Sequence, residues 1–186
     1  MNGGKVIVPK EIVLEWIKGD PSAFGRIVKM TMKQAYAVAL SFVGNADDAK
    51  DISQEAFIHA HRARSRYDPD REFFPWLYTI IRNLCLNFLK KRKVQTNLSL
   101  DALELKPSRD PNPQEQVIVN EKREMVWKAL FELTPEHREV IILKDINGYS
   151  YAEIAGILDV PLGTVMSRLY YAREKLYEVL KGFESI

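Results

Sequence analysis

The stretch from Gly148 to Leu169 constrains the chain most. Ser150 and Glu153 have capping-box spacing: the serine oxygen can accept a backbone N–H of the first turn, and the glutamate can reach back to the serine N–H. Tyr151, Ile154, Ala155 and Leu158 follow as one apolar stripe. Val160-Pro161-Leu162-Gly163 breaks that helix, and Thr164 opens a second whose stripe is Val165, Leu169, Ala172 and Leu176. Helix, tight turn and helix are the pattern of a helix-turn-helix, whose second helix reads duplex DNA from the major groove. The same pattern also serves an ordinary helical hairpin, so DNA binding is one of two readings at this point.

At about 100° per residue, the side of the second helix away from its stripe carries Ser167, Tyr170, Tyr171 and Glu174. Thr164, Arg168 and Lys175 flank it on one edge, Met166 and Arg173 on the other.

The rest of the chain is helical by the same periodicity. A short helix is expected over 9–18, stopped by Gly19, and Asp20-Pro21 supplies N-cap and N1 for a long helix ending near Gly44. A third helix runs from about Asp47 to Arg64, with Asp48, Asp51, Gln54 and Glu55 along one side. That strip is either a solvated face or a docking face for a basic partner. Asp51, Glu55 and His59 also share a face, but no further ligand lies nearby in sequence, so a metal site is not expected.

After the polar turn Tyr67–Glu72 comes a helix from about Pro75 to Lys93. One side is Leu77, Tyr78, Ile80, Ile81, Leu84, Cys85, Phe88 and Leu89; the other holds Trp76, Thr79, Arg82, Asn83, Asn87, Lys90 and Lys93, with Leu86 out of place. Cations suit phosphates, amides suit base edges, and an aromatic can stack on an unpaired base. Lone Cys85 sits in an apolar run and is expected to be a small core residue.

Residues 94–113 are proline-punctuated and aperiodic, the signature of a linker. A further helix is expected over 114–132, and Thr134-Pro135-Glu136 caps the next, which reaches Asn147-Gly148. The expected fold is therefore all-α: two small helical domains, 1–93 and 114–186, joined by a flexible linker, the second containing the helix-turn-helix.

Net charge is only +2, so any basic surface is local. No apolar run approaches the ~18 residues of a membrane span, and no signal-peptide pattern opens the chain, so a cytoplasmic protein is expected. No nucleophile or phosphate loop stands in a recognisable setting; neither an enzyme nor a cofactor is expected.

Five motifs in order resemble the extracytoplasmic-function sigma factors of bacterial RNA polymerase. They are Gly19–Phe24, Asp47–Phe57, Phe74–Asn83, Leu133–Val140 and the helix-turn-helix with Gly163-Thr164-Val165. The resemblance implies a promoter-specificity subunit without catalysis of its own. Asp48, Asp51, Gln54 and Glu55 would dock on core polymerase, whose largest and second-largest subunits are the implied partners. Tyr67, Phe73, Trp76, Arg82, Asn83, Asn87, Lys90 and Lys91 would melt and read the minus-ten element as single strand. Thr164, Met166, Ser167, Arg168, Tyr170, Tyr171 and Arg173 would bind the minus-thirty-five element as duplex. An anti-sigma factor is a further implied partner; a small-molecule substrate and direct membrane insertion are not implied. Lys50 stands where the family usually has an acid, and Met166 and Tyr171 stand where it is often basic. The runner-up is a stand-alone helix-turn-helix regulator, which leaves the Asn83 face and the acidic strip idle.

Overall fold

The computed structural model describes residues 4–96 and 124–184. Every regular element among them is helical. The chain divides into two compact units on either side of the undescribed stretch.

The first unit holds α1 (Lys10–Ile17), α2 (Pro21–Val43), α3 (Ala46–Arg62), a 3-10 turn (Arg64–Arg66) and α4 (Phe73–Thr96). Its helix ends are fixed by local chemistry. The Asp20 carboxylate accepts the Ser22 N–H at 2.8 Å, ahead of Pro21. The Asn45 side chain accepts the Asp47 and Asp48 N–H groups at 2.9 and 3.0 Å. Gly44 ends α2 at φ 73°, a left-handed position that costs glycine nothing. α4 begins two residues before the expected Pro75 and continues through Thr96, so the first residues assigned to the linker are helical. The remainder of that linker and the expected helical residues 114–123 lie outside the described residues.

Trp16 is the hub of this unit. It is fully buried, with Phe24, Phe73, Tyr67 and Trp76 at ring-centroid distances of 5.6, 5.6, 5.8 and 6.2 Å. Aromatic pairs of this kind contribute about 0.5–1.5 kcal/mol each beyond area burial. Its indole N–H donates to His61 Nδ1 at 3.2 Å, tying α1 to the end of α3. Beneath α4, Leu77, Tyr78, Ile81 and Cys85 are buried, as the periodicity predicts; Leu86, the misfit, is exposed.

The second unit holds α5 (124–131), α6 (Pro135–Ile141), a π turn (Ile142–Ile146), α7 (Tyr151–Leu158) and α8 (Leu162–Glu184). The Ser150–Glu153 capping box forms in both directions, at 2.7 and 3.3 Å. Two features depart from expectation. The helix expected to run to Asn147 changes register: Asn147 N–H bonds back five residues to the Ile142 carbonyl at 2.9 Å. Such a turn carries one extra residue and re-aims the side chains that follow it. The helix-turn-helix corner pivots on Asp159, left-handed at φ 53°, with the Val160 N–H returning to the Ala155 carbonyl at 3.1 Å. Aspartate is among the few non-glycine residues that tolerate this conformation. Gly163, expected in the turn, lies instead in the first turn of α8.

Arg138 closes the end of α5. It is 9% exposed and donates to the carbonyls of Leu130, Phe131 and Leu133 at 2.8, 3.1 and 3.0 Å. Its guanidinium also lies 4.2 Å from the Phe131 ring centroid. Burial pulls its pKa down to about 10, which leaves it a cation at neutral pH. A buried charge is tolerated here because the last carbonyls of a helix have no partners within it.

Candidate nucleic-acid interface

α8 carries its stripe inward: Val165, Leu169 and Ala172 are buried. That packing turns Met166, Ser167, Tyr170, Tyr171 and Arg173 outward, with Thr164 and Arg168 half-buried at the edge. Met166, Tyr170 and Tyr171 are all more than half exposed, an unusual apolar load for an outward face. Tyr170 and Tyr171 meet edge-to-face at 5.4 Å between centroids. Ser167 Oγ donates to the Thr164 carbonyl at 3.1 Å. Arg173 is held by Asp145 of the π turn at 2.6 Å. The outward face is thus aromatic and hydroxyl-rich, with its strongest cation already engaged.

α4 presents Arg82, Asn83, Asn87, Lys90 and Lys91 to solvent along one side. Their spacing is the helical one predicted, and the buried Leu77–Ile81–Cys85 stripe behind them fixes the orientation. Trp76 is only half-buried, but it belongs to the Trp16 cluster, with its ring 4.8 Å from Tyr67 and 5.7 Å from Phe73.

Tyr67 and Phe73 are a correction to their expected place at a DNA surface. They are 5% and 3% exposed, and neither ring can meet a base without leaving the cluster. The Tyr67 hydroxyl donates to the Arg71 carbonyl at 2.5 Å, closing the Tyr67–Phe73 loop on itself. Burial and the nearby Asp68 and Glu72 push the Tyr67 phenol up to about 12. The cluster leaves the loop's polar residues Asp68, Asp70, Arg71 and Glu72 exposed.

On α3, Asp51, Gln54 and Glu55 are exposed side by side. Asp48 is half-buried and faces Arg92 of α4 at 3.6 Å, which draws part of its charge inward. Glu55 and His59 stand 3.5 Å apart, an ordinary pair one helical turn apart. Among the described residues, no group of three His, Cys, Asp or Glu side chains is placed to hold a metal ion. Nor is any helix there long and apolar enough to cross a membrane.

Each unit has known counterparts. Sigma-70 region 2 matches residues 27–94, and Sigma-70, region 4 matches residues 123–176. The ECF RNA polymerase sigma factor SigW of Bacillus subtilis is 32% identical over 172 residues, covering 88% of this chain and 92% of SigW. The ECF RNA polymerase sigma-E factor of Escherichia coli K12 is 33% identical over 167 residues, covering 86% and 87%. Among solved structures, CnrH in complex with the cytosolic domain of CnrY superposes with a TM-score of 0.71 at 26% identity, covering 94% of this chain and 98% of that one. The sigma factor RpoE in complex with the anti-sigma factor NepR from Bartonella quintana gives 0.68 at 27%, covering 85% and 96%. The two units are therefore those of a sigma-70-type transcription factor. The chain belongs to the ECF RNA polymerase sigma factor family.

Proposed function

We propose that this chain is a promoter-specificity subunit that grips DNA at two points and docks on core RNA polymerase at a third. The observation that carries this reading is the exposed Arg82–Asn83–Asn87–Lys90 face of α4. It offers cations for phosphates and amides for base edges on a helix whose other side is locked into the core. In this reading the face of α4 opens and reads the minus-ten element, and Trp76 flanks it from the aromatic cluster. Tyr67 and Phe73 act from beneath by holding the preceding loop.

The outward face of α8 takes the minus-thirty-five element in the major groove. With Met166, Tyr170 and Tyr171 exposed on that face, apolar contact and hydroxyl hydrogen bonds contribute more to its readout than guanine-seeking forks. Asp51, Gln54 and Glu55, with Asp48 beside them, dock on a basic surface of the polymerase. The division of labour follows residues 1–93 and 114–186, joined by 94–113, of which 94–96 extend α4. The chain works in the cytoplasm, performs no bond chemistry and needs no cofactor. One structural relative was solved with the cytosolic domain of CnrY and another with the anti-sigma factor NepR; the second complex supports an anti-sigma factor as the controlling partner here.

Size-exclusion chromatography of the chain mixed with core polymerase tests the reading. Co-elution is expected. Separate elution, with duplex binding retained, would leave a stand-alone regulator in its place.

A further inference from the structure

The Tyr67–Phe73 loop is negatively charged: Asp68, Asp70 and Glu72 stand against the single cation Arg71. That is a poor composition for the loop that leads into α4, the helix proposed to take the minus-ten strand. The structure supplies the missing charge from the N-terminal arm. Lys5 Nζ lies 2.6 Å from Glu72 Oε1, and Lys10 Nζ lies 2.6 Å from Asp70 Oδ1. The third carboxylate, Asp68, is 3.5 Å from Arg71 Nε and also accepts the Asp70 N–H at 3.0 Å. Each acid of the loop therefore faces a cation, two of them 67 and 60 residues away in sequence.

The arm is placed for this by Trp16, whose burial against Tyr67 and Phe73 pins α1 beneath the loop. Lys5 and Lys10 precede the residues that match Sigma-70 region 2, which begin at 27. The Lys10–Asp70 side chains are 57% and 77% exposed, and Lys5 is 18% exposed beside Glu72 at 48%. Exposed pairs of this kind add little to fold stability. Their effect is on the field that an approaching polyanion meets.

From this geometry we infer that Lys5 and Lys10 are positioning residues for promoter opening: they mask Glu72 and Asp70 so that the single strand can approach the loop and the α4 face. The inference rests on the assignment of α4 to the minus-ten element. At about 7 Å in water, two unit charges shift an equilibrium about threefold, so two unmasked carboxylates shift it about tenfold at low salt. The shift shrinks as salt screens it.

The test uses holoenzyme reconstituted with the full chain, on a promoter whose start site has been mapped, with permanganate reactivity of unpaired thymines as readout. Lys5→Ala/Lys10→Ala is expected to slow opening about tenfold at low salt and less at high salt, with an unchanged melting temperature and unchanged core binding. Adding Asp70→Asn and Glu72→Gln to that variant is expected to restore opening, because the charges needing a mask are gone. Opening that stays slow in the quadruple variant would overturn the masking role and point to direct lysine–phosphate contact. Normal opening in the double variant, alongside slow opening in Asn83→Ala, overturns masking alone. Normal opening in both overturns the α4 assignment, and masking with it.

Discussion

Arg173 grips Asp145 with a two-pronged contact, Nη2 to Oδ1 at 2.6 Å and Nε to Oδ2 at 3.3 Å. The pair joins the outward face of α8 to the π turn. Its side chains are 46% and 40% exposed, so it contributes at most about 1 kcal/mol to stability. If the α8 face takes duplex DNA as proposed, Asp145 withholds a cation from it more than it braces the fold. Asp145→Ala is expected to tighten duplex binding and to raise the salt slope of log K by about one phosphate contact, read by fluorescence anisotropy across a salt series. An unchanged slope would show that Arg173 does not face DNA.

The proposed docking on core polymerase uses the exposed acids of α3. Asp51→Arg is expected to abolish co-elution with core polymerase while leaving the helical circular dichroism and melting temperature unchanged, because an exposed side chain is exchanged. Retained co-elution would remove Asp51 from the docking face.

Trp16 holds α1, the loop and α4 together. Trp16→Ala is expected to cost the first unit about 3–5 kcal/mol, read as a shift of its urea midpoint. For the same reason Trp76→Ala mixes a stability loss with any DNA effect. Exposed Asn83 is the cleaner probe.

Alkaline pH acts through two buried acids. The Tyr67 phenol and the Cys85 thiol are each pushed up to about 12, chiefly by burial. Unfolded, they titrate near 10 and 8.5. Above those values the unfolded chain loses protons that the folded chain keeps, so stability present at neutral pH declines as pH rises from about 9 through 12. The melting temperature is expected to fall over that range. At pH 8 Cys85 is expected to resist a thiol reagent until urea unfolds the first unit; fast labelling of the native chain would contradict its burial.

Most helix starts were legible because capping is local chemistry: Asp20-Pro21, Thr134-Pro135 and Ser150 with Glu153 each state their role within four residues. The α4 face was legible from periodicity alone. What escaped depends on residues distant in sequence or on strained backbone. Nothing local distinguishes Asp159 from any other helical aspartate, and the proline and glycine beyond it are the stronger turn signal. Arg138 lies five to eight residues beyond the carbonyls it closes, and an arginine a turn past a helix end was the available signal. Tyr67 and Phe73 looked like surface aromatics in a polar loop because the partner that buries them, Trp16, lies about fifty residues earlier.

This chain is proposed to direct initiation, with α4 opening the minus-ten element. Run-off transcription with core polymerase on a mapped promoter, comparing the natural chain with Asn83→Ala, tests it most directly. A discrete transcript is expected from the natural chain, and for Asn83→Ala retained promoter binding with reduced permanganate reactivity and transcript. A chain that yields no discrete transcript with core polymerase, or an Asn83→Ala variant that opens DNA as well as the natural chain, would contradict it.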